Sequence, residues 1–330
     1  MIRRRSEMPG APQRRADSER LELLARIAGL YYEERLTQEE IAAQTGYSRS
    51  MISRLLAEAR DQNVVEVRVN HPLERRRELE LSLQNKLGLE AVRVLARGTT
   101  SYAQMLHRLG ALAARWVEEL LQDNMTIGVS WGTAIGEVVN AIRPTAYSGV
   151  HVVTMIGSLG TPDPEIDGPE QARRLARALS GRYSTLPTPL LVDNETTRNA
   201  LLNDPKVRRV IGYFPNIQLA LVGVGTVDVE RASLLRAGYL SEAQLEELQQ
   251  AGAVGDVCAL HFDRSGRLID IPLTRRIVGI NAEQLRAIPV ILGVAGGQFK
   301  AQAVVGAARA GLIKLLVTDE VAAKAALEYL

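Results

Sequence analysis

Cysteine is nearly absent from this 330-residue chain, and its one cysteine, Cys258, has no partner for an intrachain disulfide. A reducing cytoplasm is therefore the expected compartment, and the apolar run "VCAL" around Cys258 points to a buried, inert thiol rather than a nucleophile. Long apolar stretches are missing too: none approaches the ~18 consecutive residues a membrane helix needs, so no membrane partner is expected. The basic opening "MIRRRSEMPGAPQRRADSER" is not followed by the apolar segment of a secretory signal. Neither sign of charge dominates, because 40 Lys and Arg stand against 38 Asp and Glu and leave a formal charge of +2. A global field that weak does not hold nucleic acid, so any such binding must come from a local surface. Aromatic residues make up 4% of the chain and apolar residues 46%, which leaves a core of Leu, Val, Ile and Ala. Four histidines, His71, His107, His151 and His261, share no spacing that suggests a metal site, and none is expected.

The length suits a small domain and a large one, since a single core stops growing efficiently before this size. Residues 1–18, rich in Pro, Gly, Arg and Ser, read as a disordered basic arm. Whether Arg3, Arg4, Arg5, Arg14 and Arg15 reach DNA phosphates is open at this stage. From Leu21, the residues Leu24, Ile27, Ala28 and Tyr31 recur at helical spacing, which predicts a first helix to about Glu34.

The stretch "LTQEEIAAQTGYSRSMISRLLAEARDQN" follows. Thr37 with Glu40 three residues on forms a capping box, and Gly46 offers the left-handed position that ends a helix. Ser48 then caps a second helix whose inward positions are Ile52, Leu55 and Leu56. Two short helices crossing over the small Ala42 are a helix-turn-helix, and the second enters the major groove. Its early exposed residues Arg49, Ser50, Ser53 and Arg54 are the candidate base readers, with Tyr47 and Ser48 near phosphates. The competing reading is a helical hairpin with a solvated basic face. The alternating "VVEVRVN", Val64–Asn70, predicts a wing strand, which makes residues 19–71 a winged helix-turn-helix domain. Residues 72–90 read as a linker helix with Leu79, Leu83 and Leu87 on one face, pairing two subunits or packing on the large domain. Self-association is expected, because one helix-turn-helix reads only a half-site.

Residues 91–330 alternate strands and helices, from "EAVRVLA" through "MTIGVS", "VHVVTMIGSL", "STLPTPLLV", "IQLALVGVGT", "DVCALHFD", "IPVILGVAGG" and "KLLVTDE". Continuous apolar strands in such alternation predict a doubly wound, mostly parallel α/β sheet covered on both faces, with ligands at the strands' carboxyl ends. Several strand ends share one chemistry. "GVSWGTAIGE" supplies Ser130, Gly132 and Thr133, "GSLG" supplies Ser158, "GVGT" supplies Thr226, and "GVAGGQFKAQAV" supplies Gly296, Gly297 and Lys300. Glycines let the backbone approach an anion, helix-start amides attract it, and hydroxyls add donors. Only five of the forty basic residues are lysines, so a lysine at this turn stands out as a compact point charge. A surface lysine in a helix's first turn is the plainer alternative. Asp256 is a candidate acceptor for sugar hydroxyls or a turn cap, and "FDRSGRLID" reads as a hairpin without a ligand role.

The stretches "LTQEEIAAQTGYSRSMISRLLAEA", "IGVSWGT", "GDVCALHFDRSGR" and "VAGGQFKAQAV" with "LIKLLVTDE", in this order over roughly residues 20–330, resemble the SorC family of sugar-binding transcriptional regulators. The resemblance implies a winged helix-turn-helix joined to an effector domain similar to sugar-phosphate isomerases. It also implies dimers or tetramers on operator DNA and a sugar or sugar-phosphate effector, with no further cofactor. By the same resemblance, the Ser130–Thr133 loop and the Gly296–Gly297 turn with Lys300 would hold the effector's phosphate and hydroxyls, and Asp256 matches the family's Gly-Asp position. The rival is a sugar-phosphate isomerase or deaminase with an accessory helical domain, using Asp256, Asp319 or Glu320 as acid or base. A third reading is an oligomeric scaffold in which the helix-turn-helix only packs.

Overall fold

The structure, a computed structural model, describes residues 11–62, 64–65, 73–158, 160 and 167–330. The chain divides into two compact units, Met1–His71 and Pro72–Leu330.

The first unit contains α1 (Ala11–Tyr32), α2 (Gln38–Thr45) and α3 (Arg49–Asp61). Helix α1 starts at Ala11, so the segment expected to be a disordered arm is helical from residue 11 onward. Pro12 sits in the first turn, where its missing N–H costs nothing, and the following Gln and Arg residues are good helix formers. Arg3, Arg4 and Arg5 and the side chains of Arg14 and Arg15 lie outside the described residues.

Helix α2 begins as its sequence dictates. The Thr37 hydroxyl accepts from the Glu40 amide at 3.3 Å, and the Glu40 carboxylate accepts from the Thr37 amide at 2.7 Å. The helix ends on Gly46 at φ 77°, a conformation that costs a residue without Cβ nothing. Ser48 accepts from the Met51 amide at 3.2 Å and starts α3. Leu24 and Ile27 of α1, Ile41 of α2, and Ile52, Leu55 and Ala59 of α3 close a common core. Arg20 of α1 also pairs with Glu58 of α3, its Nε at 2.9 Å from Oε1. Thr37→Ala is expected to cost this unit about 1 kcal/mol, readable as a lowered unfolding midpoint in denaturant. The predicted wing strand lies outside the described residues beyond Val65.

The second unit runs α4 (Arg77–Leu87), β1 (Ala91–Leu95), α5 (Tyr102–Leu120), β2 (Thr126–Val129), α6 (Thr133–Ala141), β3 (His151–Thr154), α7 (Gly168–Ala178) and β4 (Arg182–Ser184). It continues through α8 (Glu195–Asn203), α9 (Pro205–Ile211), β5 (Leu219–Gly223), α10 (Ser233–Arg236), α11 (Glu242–Gln250), β6 (Gly255–Val257) and β7 (Leu260–Phe262). It closes with α12 (Ala282–Ala287), β8 (Val290–Val294), α13 (Ala301–Arg309), β9 (Leu315–Asp319) and α14 (Glu320–Leu327). Seven strands form one sheet in the order β1-β9-β8-β5-β2-β3-β4, and every pairing in it is parallel.

Strand alternation sends side chains to two cores, one on each face. Leu219 and Leu221 join Ile127, Val129 and Val152 against α5, α6 and α7. Ala220 and Val222 join Val153, Ile291 and Leu316 against α9, α11, α12, α13 and α14. The chain reverses its direction across the sheet between β2 and β5. That switch point leaves a crevice beyond the strands' carboxyl ends.

Two sequence expectations change, and one open alternative is decided. The helix in 72–90 packs on the large domain: Leu83 is fully buried, Leu79 and Leu87 pack on the same core, and buried Glu80 accepts from Arg75 at 2.6 and 2.7 Å and from the Val94 amide at 2.9 Å. Helix α4 is thereby tied to β1 and belongs to the large unit. The run "DVCALHFD" is not a strand of the main sheet but the antiparallel hairpin β6–β7, turned by Cys258 and Ala259 at φ 53° and 60°. The second change is in "STLPTPLLV", which contributes only Ser184 to a strand, because its prolines cannot donate to a ladder.

Candidate functional site

The crevice at the switch point is an open cleft of about 750 Å³, mouth included. Ser130 to Ala134 line it after β2, Gly223 to Gly225 at the end of β5, and Val294 to Gly296 at the end of β8. Tyr102 and Leu106 of α5, Arg231, Ser233 and Arg236 around α10, Asp256 and Cys258 of the β6–β7 hairpin, and Phe299 with Lys300 complete its walls. Gly132 precedes α6 at φ 106° and offers no side-chain cap, so the first amides of α6 are left for a ligand.

Lys300 is not a surface residue. The Gly296–Gly297 turn carries it inward through a short 3₁₀ turn, Gln298–Lys300, until only 9% of it is exposed. Gly297 holds φ 92°, and its amide donates to the buried Asp319 carboxylate at 2.6 Å. The Lys300 ammonium has no hydrogen-bond acceptor among the described residues, and its Nζ lies 5.8 Å from the Phe299 ring centre. Burial lowers its pKa to about 8, partly offset by the attraction of Asp256. Asp256 is itself placed by a close fit. Its Oδ2 accepts from the Ala259 amide at 3.1 Å and its carbonyl from the Gly225 amide at 2.8 Å, while a Cβ on Gly225 would sit 1.7 Å from its Oδ1. Two residues without glycine's freedom thus turn in the left-handed region beside this carboxylate, which is strain held at the cleft wall.

Of the predicted cleft residues, Ser130, Gly132, Thr133, Asp256, Gly296 and Lys300 line one cavity. Three do not. Ser158 donates to Asp167 at 2.6 Å, and Thr226 bridges the Phe299 carbonyl at 3.5 Å and the Asp228 amide at 3.3 Å, so both hydroxyls fasten loops. Gly297 shapes the turn behind Gly296. Ser130 accepts from the Gly223 amide at 3.3 Å and joins β2 to β5 at the cleft floor. Sequence reasoning missed Tyr102, Arg231 and Arg236, and it passed over Phe299 beside Lys300. The arginines lie in "DVERASLLRAG" just past "GVGT", where a signal existed.

Two of the three carboxylates offered to an enzyme are otherwise engaged, and Asp256 alone of them lines the cleft. Asp319, fully buried, accepts from Gly297 and from the Val321 amide at 3.2 Å, and Glu320 pairs with Arg76 at 2.9 Å and Lys324 at 2.7 Å. The Cys258 thiol, buried beside Asp256, is pushed well above its ordinary range and stays protonated.

On the first unit, Tyr47, Ser48, Arg49, Ser50, Ser53 and Arg54 form one exposed face at the start of α3. Arg49 rests 3.4 Å from Glu39, both well solvated, and Ser48 shares a 3.0 Å hydrogen bond with Ser50.

The crystal structure of the full-length sorbitol operon regulator SorC from Klebsiella pneumoniae superposes with a TM-score of 0.70 at 28% identity, covering 94% of this chain and 99% of that one. A family model for a sugar-binding domain, Sugar-bind, matches residues 71–328, and the model for region 4 of sigma-70 matches residues 26–62. The chain belongs to the SorC family of sugar-binding transcriptional regulators. Among other family relatives, the deoxyribonucleoside regulator of Bacillus subtilis is 31% identical over 94% of this chain and 98% of its own. The transcriptional regulator LsrR of an Enterobacter species is 35% identical over 93% of each chain. The sigma-70 match spans α2 and α3, and the sugar-binding match spans the whole parallel sheet and its cleft. No helix among the described residues is long and apolar enough to cross a membrane.

Proposed function

We propose that α3 reads operator DNA and that a sugar or sugar phosphate held in the switch-point cleft controls that binding. One observation carries the effector half: Lys300, a buried ammonium with no hydrogen-bond acceptor among the described residues, faces an open cleft beside uncapped helix amides and the Asp256 carboxylate. A buried unpaired charge is costly, and an anionic ligand relieves that cost. Lys300, Gly296 and the Ser130–Thr133 segment would take the phosphate, and Asp256 would accept from sugar hydroxyls. We read the protein as a regulator rather than an enzyme, because its full-length relatives are transcriptional regulators and two of the three carboxylates an enzyme could use, Asp319 and Glu320, are engaged in holding the fold. It works in the cytoplasm as a dimer or tetramer on double-stranded DNA, and needs no cofactor besides the effector. Control requires the effector to prefer one DNA-binding state of the assembly, since equal affinity shifts nothing.

The Arg49→Ala, Arg54→Ala double variant is expected to weaken specific operator binding at least tenfold, as each bidentate base contact contributes about 1–3 kcal/mol. Fluorescence anisotropy at fixed salt checks this, and unchanged binding would remove α3 from the interface.

Effector affinity should also depend on pH in a set direction. With a folded-state pKa of about 8, Lys300 is charged at pH 7 and largely neutral at pH 9.5. A phosphorylated effector should bind several-fold more weakly at pH 9.5 and take up a proton near pH 8.5, seen as a buffer-dependent binding enthalpy. Affinity that is flat across this range would contradict the placement of phosphate on Lys300.

A further inference from the structure

Charge in the cleft is out of balance. Among the described residues, three cations line it, Lys300, Arg231 and Arg236, against one carboxylate, Asp256. Several other arginines of the unit have carboxylate partners: Arg143 with Glu118, Arg173 with Glu170, Arg275 with Asp270. Arg231 has neither a carboxylate nor a side-chain hydrogen bond among the described residues. Its guanidinium rests against the Phe299 ring, 5.2 Å from the centre. Among the described residues, Arg236 makes only a long 3.4 Å hydrogen bond to Ser233. Both arginines are exposed at the mouth, whereas Lys300 is buried at the floor. Arg231 and Lys300 lie 5.2 and 5.8 Å from the same Phe299 ring centre, which keeps both charges within reach of one small ligand.

We propose that Arg231 and Arg236 form a second anion subsite at the cleft mouth, so that the effector is a small polyol bearing two anionic groups. This rests on the effector reading above. One anion would meet Lys300 and the first amides of α6, and the other would draw Arg231 off Phe299. A guanidinium stacked at an exposed ring is held weakly, whereas one forked on a phosphate makes charge-assisted hydrogen bonds, so the exchange favours the ligand. Phe299 then acts as a resting place that keeps the guanidinium near its target. Asp256 and Ser233, which line the same cleft, suit the hydroxyls of the connecting carbons.

The test is calorimetric titration of the full chain with fructose 6-phosphate, fructose 1,6-bisphosphate, ribulose 5-phosphate and ribulose 1,5-bisphosphate. For the sugar that binds, the bisphosphate should bind at least tenfold more tightly than the monophosphate. The Arg231→Gln, Arg236→Gln double variant, altered only at exposed positions, should bring the bisphosphate down to the monophosphate's affinity and leave the monophosphate within twofold. Equal affinities in the parent protein, or equal losses for both ligands in the variant, would overturn the second subsite. Binding of none of the four would also overturn it, while operator binding would still test the regulator reading separately.

Discussion

Replacing Lys300 by methionine is expected to abolish the effector response while leaving operator binding within about twofold of the parent. The same change should make the ligand-free protein more stable at pH 7. The folded-state pKa of about 8 lies below the ordinary 10.5, so the unfolded chain holds this proton more tightly. Stability therefore rises as pH climbs from about 8 toward 10.5, and below pH 8 the buried charge weighs fully against folding. At about 1.4 kcal/mol per unit, that burden is on the order of 3 kcal/mol. Methionine fills much of the same volume without it, although Asp256 loses a favourable neighbour. A gain of about 1–3 kcal/mol follows, seen as a higher melting temperature that no phosphosugar raises further. A lysine with a purely structural role would show the reverse, lost stability with the response intact.

The second large effect is expected at Asp319. Its carboxylate is fully buried, accepts from Gly297 and Val321, and faces Arg97 at 3.7 Å. It holds the glycine turn that aims Lys300 and caps α14. Asp319→Ala leaves the Gly297 amide without its partner and removes a helix cap, and should cost about 3 kcal/mol or more. Asp319→Asn keeps one acceptor and should lose less than half of that. Chemical denaturation of both variants decides the matter. Equal, small losses would show that the turn holds itself.

What was legible in the sequence was local. Thr37, Glu40, Gly46 and Ser48 define their helices through bonds three or four residues long, so the helix-turn-helix followed from spacing alone. The parallel sheet followed from apolar runs that only a doubly covered strand tolerates. The cleft was half legible. Glycine turns with a hydroxyl look alike in sequence whether that hydroxyl faces a ligand or a neighbouring loop, and only the structure shows Ser158 bound to Asp167 and Thr226 bound to the Phe299 carbonyl. Tyr102, Arg231 and Arg236 come from segments outside the glycine motifs and meet them only across the sheet's switch point. The β6–β7 turn was hidden for another reason. Cys258 and Ala259 adopt a backbone conformation that glycine or asparagine would have announced, and nothing in "VCAL" reveals it.

The central claim is that this cleft governs DNA binding, and one measurement tests it most directly. Anisotropy of the gene's own upstream DNA, titrated with the full-length protein at fixed salt, is followed with and without a panel of sugars and sugar phosphates, in the parent protein and in Lys300→Met. The account predicts specific binding that one phosphorylated sugar shifts at least tenfold in the parent and leaves unmoved in the variant. Specific binding that shifts equally in both proteins, or upstream DNA held no better than random DNA under every ligand, would contradict it.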